Sequence, residues 1–383
     1  MEIFKFVIPE IIFGAGSITE IGKSAERLGA KKVLLVSDEG VKETGWIDES
    51  IKHIKGAGLS YHLWIDITPN PKDYEIARGA EEYINEGSDA IIAIGGGSAI
   101  DAAKAIAILV TNGGNIKDYE GIDKISKPLP PFVAVATTAG SGAEITQFCI
   151  VTDKKNHSKM SIVSKSLIPD ISISDPNMLA TKPFELTANT GMDALTHAIE
   201  AYTSIAATPF TDVNAINAIK LISKNLRQST AQKDNLKAKE AMAMASIQAA
   251  KAFSNAILGA VHAMTHQLGG LLDVPHGAVN AILLPYVMRY NLISCVDKYA
   301  EIACAFGENK EEHLSSREMA EKAILAVDTL ARDINIPANL RDLGVKDEHI
   351  PLLSKNAVKD VCLVTNPRDA SEEDIKKVFE TAI

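Results

Sequence analysis

Two rhythms of apolar and polar positions divide this chain. In the first half, short apolar runs rich in β-branched residues alternate with helical patterns. Residues 32–36, 89–94 and 131–136 read as strands apolar on both faces, as a parallel sheet covered on each side requires. Helical periodicity over 73–86 and 99–110 separates them. A hairpin-like opening is expected over 4–12, with Pro9 marking an edge strand or a bulge. Beyond about residue 185 the period becomes helical over 187–204, 211–228, 236–253, 257–271, 296–306, 315–334 and 371–383, and the Ala-rich composition favours that state. The polar stretch 229–235 reads as a surface loop, and Pro183 breaks the chain between the two regimes. The expected fold class is thus α/β followed by all-α. A doubly wound, Rossmann-like parallel-sheet domain is expected over 1–182 and an all-helical metal and substrate domain over 183–383.

Composition narrows the function. The chain has 383 residues, 46% hydrophobic and 23% charged, ordinary for a globular enzyme. Its formal net charge of −10, with no concentration of Lys and Arg, argues against a nucleic-acid partner and for a small-molecule substrate. No uninterrupted apolar run reaches the roughly 18 residues that would span a bilayer, and residues 1–17 lack the basic and long apolar regions of a signal peptide. A cytoplasmic protein is expected, without membrane partners. Its four scattered cysteines, Cys149, Cys295, Cys304 and Cys362, are then free thiols.

Chemistry concentrates at a few places. The strand ending at Ile94 runs into Gly95-Gly96-Gly97-Ser98, and a helix follows with Asp101 in its first turn. Three glycines admit a bound group to the backbone, and free N–H groups at a helix N-terminus suit a pyrophosphate. A tight turn explains the same glycines equally well. A second loop, Thr137-Thr138 through Gly140-Ser141-Gly142, follows another predicted strand at the end where open α/β sheets bind ligands. Asp38, just past the first strand, is placed to accept from an adenosine ribose and to repel a 2′-phosphate, so NAD is expected over NADP; a plain helix N-cap is the alternative.

The helical half carries Asp193 and His197 at i, i+4, His262 and His266 at i, i+4, and His276 in an adjoining loop, all in apolar surroundings. Four of the nine histidines thus gather with one acid. Burying so many ionisable groups without a partner costs several kcal/mol, which a divalent cation offsets. Three histidines and a carboxylate suit Fe²⁺, Zn²⁺, Co²⁺ or Ni²⁺.

With these segments assembled, the chain resembles the iron-activated (group III) alcohol dehydrogenases, and in type their propanediol oxidoreductase members. The matching motifs are Gly95-Gly-Gly-Ser-Ala-Ile-Asp101, Thr137-Thr-Ala-Gly-Ser-Gly-Ala-Glu144, Gly191-Met-Asp-Ala-Leu-Thr-His-Ala-Ile-Glu200, the stretch from Phe253 to Gly277, Asn280-Ala-Ile-Leu-Leu-Pro285, and Asp360-Val-Cys362 with Asn366-Pro-Arg. The resemblance spans essentially the whole chain and implies a dehydroquinate synthase-like architecture. It makes Asp193, His197, His262 and His276 ligands of Fe²⁺, with Zn²⁺ or another divalent ion as the alternative, and His266 the proton relay. Gly95, Gly96, Gly97, Ser98, Asp101, Thr137, Thr138 and Ser141 would cradle NAD, with Asp38, Lys159 and Leu179 nearby. Phe253 and Cys362 would line the substrate or nicotinamide pocket. The implied reaction interconverts small primary alcohols or diols and aldehydes in a homodimer or larger homo-oligomer. A zinc-dependent glycerol dehydrogenase-like enzyme is one alternative, and an NAD- and metal-dependent lyase of the dehydroquinate synthase type another. One departure is Ala143, where many members have a serine.

Overall fold

A computed structural model describes residues 5–156, 158–308 and 314–383. The chain forms two compact units, one of Val7–Lys182 and one of Pro183–Ile383 with Lys5 and Phe6. The expectation placed those first residues in the α/β domain. The Phe6 ring instead lies 6.0 Å from that of Phe210, in the helical unit.

The strands of the first unit are β1 (Glu10–Phe13), β2 (Lys32–Val36), β3 (Ser60–Trp64), β4 (Ala90–Gly95), β5 (Gly121–Ile122), β6 (Phe132–Ala136), β7 (Phe148–Asp153), β8 (Ser158–Val163) and β9 (Ile171–Ser174). Its helices are α1 (Ile21–Arg27), α2 (Glu39–Glu43), α3 (Trp46–Gly56), α4 (Asp73–Asn85) and α5 (Gly97–Asn112). Six strands form one sheet in the order β1-β9-β6-β4-β2-β3, every pair parallel. Successive residues of a strand point to opposite faces. Accordingly Leu34, Val36, Ile91 and Ala93 pack with α4 and α5 on one face, and Val33, Leu35, Ile92 and Ile94 pack with α1 and α3 on the other. That two-sided burial is why β2, β4 and β6 read as continuous apolar runs.

The expected opening hairpin is corrected. β1 pairs in parallel with β9 at the sheet edge, Glu10 against Ile171, and Pro9 falls just before it. A period-two pattern cannot tell a local antiparallel partner from a distant parallel one; Phe4, the expected start, lies outside the described residues. The sequence reading also missed a small second sheet, β5-β8-β7, whose β7 and β8 are antiparallel.

The second unit comprises α6 (Phe184–Thr203), α7 (Pro209–Ala231), α8 (Leu236–Ala256), α9 (Ala260–Leu272), α10 (His276–Phe306), α11 (Ser316–Asp333), α12 (Ile350–Ala357) and α13 (Glu372–Ala382). Two expectations change here. His276 opens α10 instead of lying in a loop, because Pro285 inside that helix and a non-helical Cys295 hid its continuity. Ser229 and Thr230 are buried in the last turn of α7, so only the end of the polar stretch is loop. Among the described residues α10 is the one helix long and apolar enough to cross a membrane, and 61% of its apolar window is buried within the protein, as in a core helix. Gly277 fixes its start. A Cβ there would stand 2.2 Å from the Asn189 carbonyl oxygen of α6, so only glycine lets the two helices approach and sets His276 beside Asp193.

Candidate active site

In the helical unit the five candidate residues come together from three helices. α6 brings Asp193 and His197, α9 brings His262 and His266, and α10 begins with His276. Asp193 Oδ1 is the hub. The Nε2 atoms of His197 and His262 lie 3.8 Å from it and that of His276 lies 3.7 Å away. Those separations are too long for direct hydrogen bonds. Four donors held tetrahedrally at about 2.1 Å from one cation would stand about 3.4 Å apart, so a small contraction converts this cluster into a coordination shell. The ligand atoms of Asp193, His262 and His276 all lie within 4.8 Å of one another, and His197 joins through its Asp193 contact. Its ring stacks between those of Phe253, at 4.1 Å, and His262, at 4.5 Å. Phe253 therefore braces a candidate ligand.

Electrostatics favour a cation. Burial alone would raise the Asp193 carboxyl, but the imidazoles of His197, His262 and His276 outweigh it and hold the group well below the usual carboxylate range. Burial likewise disfavours charge on His262, yet Asp193 and Glu200 push it up to about 9. The ion-pair partners of Asp193 and Glu200 among the described residues are all imidazoles. Among the described residues neither acid has a Lys or Arg partner, only imidazoles, and a divalent ion fits that set of donors.

A surrounding layer orients these groups, and the sequence reading assigned no role to its members. Glu200 Oε2 lies 2.6 Å from His262 Nδ1, and Asn280 Nδ2 donates to Asp193 Oδ1 at 2.7 Å. Asp360 Oδ2 lies 2.9 Å from His266 Nδ1, while Asp360 Oδ1 accepts the Cys362 backbone N–H at 2.9 Å. A carboxylate can only accept, so Nδ1 of His266 carries the proton and Nε2 is the exchangeable nitrogen. Cys362 is buried against this pair, and burial raises its thiol well above the ordinary range, so it is an inert lining group. Glu200 lies one turn beyond His197 on α6, and Asp360 precedes the quoted Cys362. Both signals existed, but neither residue type at that spacing is diagnostic by itself. A further group, His62 with Glu82 and Glu86, is already neutralised by Lys32, 2.9 Å from Glu86.

The glycine-rich loops of the α/β unit meet at the C-terminal ends of β4 and β6. A Cβ on Gly96 would stand 3.3 Å from Thr138 Oγ1, and one on Gly97 would stand 2.9 Å from Ser141 Oγ. Glycine at 97 leaves room that a side chain would fill and glycine at 96 eases the packing, which sets hydroxyls beside the N-terminus of α5. Thr137 Oγ1 is buried there with no hydrogen-bond partner among the described residues. Asp38 serves as the N-cap of α2, its Oδ1 accepting Val41 N–H at 3.0 Å, while Oδ2 stands 3.3 Å from where a Gly95 Cβ would be. One oxygen thus caps the helix and the other faces the glycine turn. Ser98 Oγ accepts the Asn70 N–H at 3.2 Å, and Lys159 Nζ donates to Asn70 Oδ1 at 3.0 Å. Asn70, in the left-handed region at φ 55°, is the bridge the sequence reading missed. Asp101 turns inward: its carboxylate accepts Ile150 N–H at 3.2 Å, and burial pushes it up to about 6. Leu179 is buried in the turn Pro176–Thr181 after β9. Ala143 belongs to the apolar core.

A doubly wound sheet followed by a helical unit with a histidine–carboxylate cluster fits a metal-dependent oxidoreductase of alcohols and aldehydes, and the comparisons with known proteins select that class over a lyase of the same architecture. The chain belongs to the iron-containing alcohol dehydrogenase family: the model "Iron-containing alcohol dehydrogenase" matches residues 9–176 and "Fe-containing alcohol dehydrogenase family, C-terminal" matches residues 187–383. It is 47% identical to the 1,3-propanediol dehydrogenase of Citrobacter freundii, covering 100% of this chain and 99% of that one. It is 41% identical to the NAD-dependent methanol dehydrogenase of Bacillus methanolicus, over 99% of each. A crystal structure of a 1,3-propanediol oxidoreductase superposes over 100% of both chains with a TM-score of 0.97 at 46% identity. The lyase alternative is not favoured by these matches.

Proposed function

We propose that the protein interconverts small primary alcohols or diols and their aldehydes with NAD(H), using one ferrous ion held by Asp193, His197, His262 and His276. The observation that carries this reading is the convergence of three imidazole Nε2 atoms on one buried carboxylate oxygen at 3.7–3.8 Å. When bound, the cation supplies Lewis acidity toward a substrate oxygen and the nicotinamide supplies the hydride donor or acceptor. His266, its Nδ1–H committed to Asp360, takes or returns the substrate proton at Nε2. Gly95, Gly96, Gly97, Ser98, Thr137, Thr138 and Ser141 hold the dinucleotide phosphates, with Lys159 and Asn70 at their flank and Leu179 as an apolar wall. Asp101 supports the loop from inside. Asp38 selects NAD; the Bacillus methanolicus relative is NAD-dependent by name. The apolar lining given by Phe253 and Cys362 favours a small, weakly polar substrate.

The test is metal analysis of protein purified without air, followed by reconstitution with single ions and assay of NADH formation from a panel of short alcohols. Iron is expected to restore turnover. Restoration by zinc alone would overturn the metal assignment, and a lack of turnover with every ion and alcohol would overturn the reaction. The terminal position of β1 in the sheet supports a homo-oligomer, which light scattering showing monomers alone would contradict. Four free cysteines support a cytoplasmic setting, and recovery in a secreted or membrane fraction would contradict it.

A further inference from the structure

Glu200 touches no candidate ligand atom directed at the metal position, yet its carboxylate is built into the site as firmly as the ligands. It lies on α6, two helical turns from Asp193, and is buried. Its Oε2 is 2.6 Å from His262 Nδ1 and its Oε1 accepts the Val261 backbone N–H at 2.7 Å. The neighbouring donor, Ala260 N–H, is taken at 3.1 Å by Asn366 Oδ1, which is itself held by Asn291 at 3.0 Å. Gly259 makes room for this arrangement. A Cβ there would stand 2.9 Å from Glu200 Oε1 and 3.0 Å from Asn366 Oδ1.

Each carboxylate oxygen therefore faces one donor. The Val261 donor is main chain and cannot change its character, so Oε1 is committed. Oε2 then requires a donor at His262 Nδ1, which leaves Nε2 as the acceptor nitrogen, 3.1 Å from the Asn280 amide nitrogen and 3.8 Å from Asp193 Oδ1. We propose that Glu200 is a positioning residue that sets the tautomer of His262 and thereby the affinity of the metal centre; this rests on the metal-site reading above. A glutamine at 200 reverses the logic. Its carbonyl oxygen must stay on Val261 N–H, so its amide –NH₂ faces His262 Nδ1, makes that nitrogen an acceptor and moves the ring proton to Nε2. A proton at Nε2 blocks the coordinating lone pair. Asn366 still holds Ala260 N–H, so the start of α9 keeps its caps.

Cobalt(II) is the probe. Metal-free protein is titrated with Co²⁺ while its visible d–d absorption is recorded, for the unsubstituted chain, Glu200→Gln and Asp193→Asn. Histidine ¹⁵N shifts of the metal-free Glu200→Gln protein give the His262 tautomer. Glu200→Gln is expected to bind Co²⁺ about 10- to 100-fold more weakly, the range for removing an oriented outer-shell partner, with His262 protonated at Nε2. Unchanged affinity in folded Glu200→Gln would overturn the inference while leaving the metal site intact. Should the unsubstituted chain fail to take one Co²⁺, or Asp193→Asn take it equally well, the metal-site reading itself falls, a result distinct from the first. If Glu200→Gln does not fold, Glu200→Asp keeps the charge but is too short to serve both donors. It should weaken Co²⁺ binding severalfold, and equal binding would overturn the inference.

Discussion

Both units bury ionisable groups, and they do so to opposite ends. In the α/β unit, the fully buried Lys104 donates to the carbonyl oxygens of Thr146 and Phe148 at 2.8 and 2.7 Å. The Cys149 thiol donates to the Asp101 carbonyl oxygen at 3.2 Å. Both side-chain donors meet main-chain acceptors of the same unit, so the cluster pins α5 to the segment leading into β7. In the helical unit, ligand-type atoms converge instead: three imidazole nitrogens around one carboxylate oxygen, with no Lys or Arg paired to it among the described residues. Burial of charge does not by itself identify a site. What marks one is a set of acceptors whose only satisfactory common partner is a cation.

The most severe way to break that contrast is to remove the hub. Asp193→Asn or His262→Ala is expected to abolish metal retention and lower kcat/KM by on the order of 10³ or more, the scale of losing several kcal/mol of Lewis-acid stabilisation. Metal content and turnover are measured together. A fully active, metal-loaded His262→Ala protein would sink the assignment.

The contrast also explains what the amino-acid pattern revealed. β2, β4 and β6 were legible because burial on both faces leaves an unbroken apolar run. β7 was not, because its alternate residues are buried and the rest partly exposed, and its partner β8 is Ser- and Lys-bearing. The histidine pairs stood out because i, i+4 spacing on a helix is visible in one dimension. Glu200, Asn280 and Asp360 did not, because each acts through a contact with another segment: Asp360 meets His266 across 94 positions of chain. Asn70 was hidden for a similar reason, since its role follows from a left-handed backbone between two distant elements.

A second substitution probes the other side of the contrast. Lys104→Met removes the ammonium donor from the Thr146 and Phe148 carbonyl oxygens, at about 1–3 kcal/mol for the buried Thr146 bond. The α/β unit should unfold several degrees lower, seen as faster hydrogen exchange in α5 and β4, while Co²⁺ uptake by the helical unit stays unchanged. Loss of metal binding in a folded Lys104→Met protein would show that the two clusters are not independent.

The acids of the two clusters should also respond to pH with opposite signs. Burial raises Asp101 to about 6 and Glu144 to about 7, above their ordinary values of 3.8 and 4.5. The folded state thus binds the extra protons. Stability from these groups is present below pH 4 and is lost as pH rises through 6 and 7, on the order of a few kcal/mol. Asp193, held low, contributes stability above its ordinary value of 3.8 that is lost as pH falls below it. Hydrogen exchange in β6 followed from pH 4 to 8, and in α6 from pH 5 down to 3, corrected for intrinsic rates, separates the two. Glu144→Gln should flatten the response in β6; an unaltered slope would remove Glu144 from the account.

The smallest effect expected is on cofactor choice. Asp38 gives Oδ1 to the cap of α2 and directs Oδ2 toward the Gly95 turn. Asp38→Ser keeps a capping oxygen, so stability should hardly change, whereas the negative charge opposing a 2′-phosphate is gone. Burial lowers the nearby Lys182 ammonium and Asp38 counteracts that shift, so the serine variant leaves a cation with no acid beside it at this position. Removing a repulsion of about 1–2 kcal/mol should raise the kcat/KM ratio of NADP to NAD by roughly 10-fold, with little change for NAD itself. An unaltered ratio would mean that Asp38 is a helix cap and nothing more. The preference for NAD would then have to originate at the hydroxyl-lined loops of β4 and β6.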